Sequence, residues 1–244
     1  MADPCPVAED VRPSALPAGL RRETAPGAAN PGPAEVTPSG EVVFPPRSDY
    51  RHRLGTTAAG WPRLDRWCVW VEPASGEPGA SRWDDRWLEA VGRALGHWRE
   101  QLPIRFTEDP GAAHIRVRRR RPPLRSGPDG RSRASHGRAM LALVEVSRGG
   151  TWRLEPHVEV LISPGQRELA IEATALHELG HAFGLWGHSD DAGDAMAVAP
   201  GADPVVTLSD RDRATLRWLY RQPTGFGRPF RPDPAIPAYD QPEE

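Results

Sequence analysis

The sequence predicts a mixed α/β domain of the α+β kind, and three observations carry that expectation. Strand-period and helix-period segments alternate through residues 49–227 in the order β-α-β-β-β-β-α-α. A length of 244 residues suits one sizeable core and not three. The prolines crowd the ends, ten of them in 1–48 and five in 228–244, where too little apolar side chain is present to offset chain entropy. The expected layout is therefore a disordered N-terminal extension (1–48), one folded domain (49–227) and a Pro-rich tail (228–244).

In chain order, residues 66–72 are aromatic and β-branched and stop at Pro73, which predicts a strand. Ser81 then offers an N-cap for a helix to about Gln101, with Trp83, Trp87, Val91, Leu95 and Trp98 at helical spacing. Pro103 ends it. Short strands follow at 104–107 and 114–118, split by the Asp109-Pro110-Gly111 turn signal. Residues 139–146, 152–155 and 157–163 read as an antiparallel meander around Gly149-Gly150. Pro164-Gly165 opens a long helix through Leu185, and Ser209 caps a last one to about Arg221.

Composition excludes several chemistries. Charges nearly cancel at a formal −2, which argues against a generally basic nucleic-acid binder. Every one of the 31 basic residues is arginine, so neither a Schiff-base lysine nor a phosphate-binding loop of the Walker type is available. Cys5 and Cys68 are too few for a disulfide framework or a four-cysteine zinc site. Metal chemistry must then come from histidine and carboxylate. Cys5 reads as an incidental free thiol and Cys68 as a buried strand residue. The opening residues lack a basic segment and an apolar run, and no stretch of about 18 apolar residues occurs, so a soluble, cytoplasmic chain is the default expectation.

Within the long helix stands His177-Glu178-Leu179-Gly180-His181. Histidines four apart share one helix face and can bind one ion, while Glu178 can reach a metal-bound water without being a ligand. A catalytic zinc needs a third protein ligand. Gly184 and Gly187 suit a turn that delivers His188 to the ion, with Asp190 and Asp191 as acidic alternatives. A thermolysin-like arrangement is disfavoured because no glutamate occurs between Glu178 and Glu243.

The run HELGHAFGLWGHS followed by DAM resembles the metzincin metalloproteases, and among them the matrixin-type peptidases. The usual pattern, H-E-x-x-H-x-x-G-x-x-H, would place its last histidine at position 187. Here that position is glycine, and Trp186 is one extra residue before His188. The resemblance covers about 60–225 and implies a twisted mixed sheet of about five strands, an active-site helix and a C-terminal helix. It implies Zn2+ on His177, His181 and His188, Glu178 as general base and acid, and Met196 as the methionine of a turn beneath the metal. The function implied is a zinc-dependent endopeptidase acting on peptide or protein substrates, as a monomer, without nucleic acid or membrane. Members are commonly secreted, which stands against the cytoplasmic default. The alternative is a zinc-binding scaffold without efficient proteolysis.

The resemblance further implies an edge strand that holds the substrate, for which 139–146 is the candidate, and a primed-side pocket shaped by 198–207. Trp186 reads as a packing residue. Arg118 to Arg121, with Arg125, Arg131 and Arg133, read as a solvated basic loop. His114, His136 and His157 read as strand histidines, with no structural zinc or calcium expected.

Overall fold

A computed structural model describes residues 5–21, 35–36, 42–43, 48–77, 79–126, 132–133, 135–198 and 203–230. Its main sheet contains β1 (Asp10–Pro13), β2 (Trp67–Val71), β3 (Ile104–Phe106), β4 (Ile115–Arg118), β5 (Gly137–Arg148), β6 (Thr151–Ile162) and β7 (Pro229–Phe230). The order is β1-β5-β6-β4-β2-β3, with β7 beside the start of β6. Strands β3, β2, β4 and β6 run parallel, and β5 runs antiparallel to β6. The helices are α1 (Ser81–Arg99), α2 (Glu168–Ala182) and α3 (Asp210–Leu219). Two isolated two-residue ladders join 35–36 to 42–43 and 125–126 to 132–133. The mixed α/β class follows the expectation.

Two strands expected separately, 152–155 and 157–163, are one continuous β6 that contains Pro156. Proline is tolerated there for a specific reason. Leu154 O accepts from Gly227 N–H and Val158 N–H donates to His114 O, so position 156 faces the same flank by alternation. That flank lies between the β7 and β4 pairings, where no ladder bond is needed.

Helices α1 and α2 pack together against the sheet. Trp87, Val91, Leu95 and Trp98 of α1 are buried with Ile171, Leu176 and Leu179 of α2 and with Val69, Ile115, Val117, Val158 and Val160 of the sheet. Each such side chain contributes about 1.5–3 kcal/mol on leaving water. The buried indoles also find acceptors: Trp98 Nε1–H donates to Leu176 O (3.1 Å) and Trp87 Nε1–H to Ile162 O (3.3 Å). Trp83, expected on the same stripe, is 48% exposed and lies beneath the Arg82 and Arg86 guanidiniums. Tyr220 joins three elements, accepting from Trp67 Nε1–H (2.7 Å) and donating to Phe183 O (3.0 Å).

The N-terminal stretch departs from the expectation of a wholly flexible extension. Cys5 and Cys68 form a disulfide, so Cys5 is not a free thiol. Beyond it, Glu9 accepts from the Gly149 and Gly150 N–H groups of the β5–β6 turn (2.8 and 3.1 Å), and β1 pairs with β5. Arg12 forms a buried ion pair with Glu145 (2.7 Å) and covers the Trp152 ring. Pairing with a ready sheet edge satisfies the backbone of a segment too poor in apolar residues to fold alone.

The basic run is also more structured than a solvated loop. Arg118 pairs with Glu159 (2.7 Å), and Arg119 pairs with Asp84 (3.2 Å) over the Trp87 ring. Arg131 lies outside the described residues.

Candidate metal centre

Helix α2 projects His177 and His181 from one face. The helix ends at Ala182 with Phe183 as its cap; Gly184, whose φ of 106° favours glycine, follows, and Leu185 N–H turns back to Gly180 O (2.9 Å). This return brings His188 to the other two. The donor atoms of His177, His181 and His188 lie within 4.8 Å of one another, a group that could hold a metal ion. Their ring centroids are 4.8–5.2 Å apart.

Hydrogen bonds decide which nitrogen the helical rings present. His177 Nδ1 lies 2.9 Å from Ala195 O, and His181 Nδ1 lies 2.8 Å from Leu185 O. A carbonyl only accepts, so each Nδ1 carries the proton and each Nε2 keeps its lone pair. Loss of solvent around the rings pushes His177 down to about 4 and holds His181 well below the ordinary histidine range. Both are therefore neutral at pH 7, the form that ligates metal. Three imidazole nitrogens suit zinc by softness and number, and leave a fourth position for water or substrate.

Met196 is fully buried against Gly180 of α2, where an added Cβ would fall 2.2 Å from Met196 Sδ. Ser189 N–H donates to Met196 O (2.7 Å), which ties the segment after His188 to the 194–197 turn. Glu178 stands beside strand β5. A Cβ added at Gly137 would lie 2.6 Å from Glu178 Cγ and 2.7 Å from its Oε1. Only glycine lets strand and helix approach this closely.

A cavity of about 640 Å3 opens beside His177 and Glu178. Ala170, Ala173 and Thr174 of α2 line it, together with Ala197, Val198, Pro204 and Val205. The outer edge of β5 is divided. Its far half pairs with β1 over 144–147, while along 137–142 no strand among the described residues covers it.

Residues 82–221 match the matrixin family. The chain belongs to the matrixin family. No curated protein matches its sequence. The match runs from α1 through α3 and takes in the three histidines, Glu178 and Met196, while β1, β2 and the disulfide lie outside it. At the family level the domain is a metalloprotease, a hydrolase of peptide bonds.

Within this matrixin domain, the acidic alternatives to His188 are engaged elsewhere. Asp190 bonds to Arg211 (2.8 Å) and Arg53 (3.0 Å), and the Arg211 bond draws its carboxyl down to about 2. Asp191 faces Arg211 at 3.4 Å. Gly187 needs a different explanation from the one its turn suggests. Its φ is not positive, and what requires glycine is the approach of another backbone, since an added Cβ would lie 2.2 Å from Arg53 O. The extra residue, Trp186, packs against the core and stacks on His181 with an interplanar angle of 14°.

The sequence did not reveal the support under the matrixin cluster. Asp212, fully buried at the start of α3, accepts from Ala195 N–H (2.8 Å), Ser209 N–H (3.0 Å) and Tyr50 O–H (2.7 Å). The Ala195 peptide is thus held by Asp212 at its nitrogen and by His177 at its oxygen. Ser209 and Asp212 form a capping box, and that spacing is readable in sequence; the reach to Ala195 is not. Of the three histidines read as strand residues, His157 lies in β6 and His114 directly precedes β4, whereas His136 departs from the expectation. His136 precedes β5 and lines the cavity. His114 and His157 flank buried Glu155 (3.4 and 3.8 Å) where β4 and β6 lie side by side at the middle of the sheet. Burial alone would raise the Glu155 carboxyl, but hydrogen bonds from His114 and His157 and the Arg148 charge hold it well below the usual range.

Proposed function

We propose that this matrixin domain is a zinc-dependent endopeptidase, with His177, His181 and His188 as the metal ligands and Glu178 as general base and acid. The observation that carries the reading is the convergence of three imidazoles, two of them with Nε2 lone pairs fixed by their Nδ1 bonds, beside Glu178 at the mouth of the cavity. The family is zinc-dependent, and bound zinc supplies a Lewis acid and water acidified toward a pKa of about 7. The chain's own part is proton transfer and positioning. The Glu178 carboxylate takes the proton of the attacking water and passes it to the leaving amine nitrogen. A peptide main chain pairs with 137–142, the uncovered edge of β5, which brings the scissile bond to Gly137 and Glu178. The side chain after that bond enters the cavity, whose alanine, valine and proline walls suit an apolar group. Met196 is the methionine of the turn below the site.

The Cys5–Cys68 disulfide supports work in an oxidising compartment rather than the cytoplasm. The proposal is tested by digesting an unbiased peptide library with the zinc-loaded protein. Expected are cuts before apolar residues, lost with a chelator and regained with zinc. Stoichiometric zinc without cleavage would overturn the reading and leave a zinc-binding scaffold.

A further inference from the structure

The uncovered edge of β5 and the strand β1 belong to one line. Strand β1 pairs antiparallel with 144–147, and Ser14 N–H donates to Leu143 O (2.9 Å), so the chain's own N-terminal segment occupies the far half of the edge that a peptide would use. It does not continue along 137–142. Leu16 N–H bonds to Ser14 Oγ (3.2 Å), closing a bend, and the chain next pairs at Arg21 with Thr56. A peptide antiparallel to β5 runs in the same direction as β1. Its N-terminal end therefore meets Ser14, and its scissile end meets Gly137 and Glu178.

The segment is anchored at several points. Cys5 is bonded to Cys68 in β2, and Pro6 O accepts from Arg148 Nε (3.1 Å). Glu9 holds the β5–β6 turn, and Arg12 is paired with Glu145 in the buried ladder. A peptide cannot displace this strand by main-chain bonds alone, because those bonds are already made and a covalent bond holds the end.

We infer that residues 5–14 form an end-stop that sets how many residues a substrate can pair on the N-terminal side of its scissile bond. The inference rests on the peptidase reading above. At one paired residue per strand position, 137–142 accepts about six. Residues further upstream must leave the sheet and gain no main-chain pairing. The disulfide keeps the stop in place, so its loss lengthens the usable edge.

The test uses zinc-loaded full-length protein and peptides that share one cleaved sequence and grow by single residues at the N-terminal end, up to about twelve. Wild type is compared with Cys5→Ser and with the double variant Cys5→Ser, Arg12→Pro; Arg12 is in register with Glu145 and, two residues before the Ser14 N–H that bonds to Leu143 O, its N–H faces β5, so proline there removes a ladder donor. Hydrogen exchange of 143–147 reports whether β1 is still seated. For wild type, kcat/KM should climb with length and level off at about six residues. A variant with faster exchange at 143–147 should go on gaining severalfold to about ten. A wild-type rate that continues to climb past about six would overturn the inference, as would levelling at the same length in a variant whose 143–147 amides exchange freely. If neither variant folds, the wild-type series still decides. Cleavage at no length would refute the peptidase reading itself, whereas cleavage with no break in length refutes the end-stop alone.

Discussion

The Ala195 peptide unit links the first histidine of the cluster to the third helix. Its oxygen orients His177 and its nitrogen is held by Asp212, so an acid outside the histidine cluster fixes the direction of a proposed ligand ring. Asp212→Asn keeps the size of the side chain but replaces one acceptor oxygen by a donor. The expected result is zinc affinity lower by about 10- to 100-fold with unchanged far-UV circular dichroism. Unchanged affinity in a chelator competition would show that the turn holds itself. The two helical histidines of the proposed metal site were legible in the sequence because histidine spacing on a helix is local. Asp212 was not, because its reach to Ala195 depends on how α3 docks. For the proposed third ligand the sequence favoured His188 over Asp190 and Asp191, and the ion pairs of those two aspartates with Arg53 and Arg211 support that reading.

Helix α2 serves both packing and chemistry, and Gly180 is where the two meet. Glycine costs an exposed helix about 1 kcal/mol relative to alanine. At Gly92 of α1 nothing lies within 4 Å of an added Cβ, so Gly92→Ala should stabilise by about 0.5–1 kcal/mol. At Gly180 the same change puts a methyl 2.2 Å from Met196 Sδ and 3.0 Å from Trp98, and overpacking of about 1–3 kcal/mol exceeds the gain. Chemical denaturation of the two variants should therefore give shifts of opposite sign. Stabilisation by Gly180→Ala would mean that Met196 moves aside freely. Among the strands, periodicity located β2, β3 and β4 to within a residue or two. It divided β6 at Pro156, since sequence does not show that this proline falls in a gap between partners.

For the whole molecule, the N-terminal segment changes the account most. Low apolar content marked it as an extension, but a covalent bond and a sheet edge hold 5–21 to the domain without a core of their own. Two cysteines separated by 63 residues carry no local signal of pairing. Closing a loop of that length stabilises by about 4 kcal/mol in the chain-entropy treatment. Reduction should lower Tm by several degrees and speed exchange at 143–147. An unchanged Tm would mean that the other anchors suffice. The same segment lies outside the matched 82–221, beside a candidate site built from helix α2 and the turn after it. The central claim concerns that site, and Glu178→Ala tests it most directly when zinc content and cleavage of a susceptible peptide are measured on the same sample. Zinc should remain stoichiometric while kcat/KM falls by at least about 10²- to 10⁴-fold. Wild-type cleavage by the zinc-loaded variant would contradict the account.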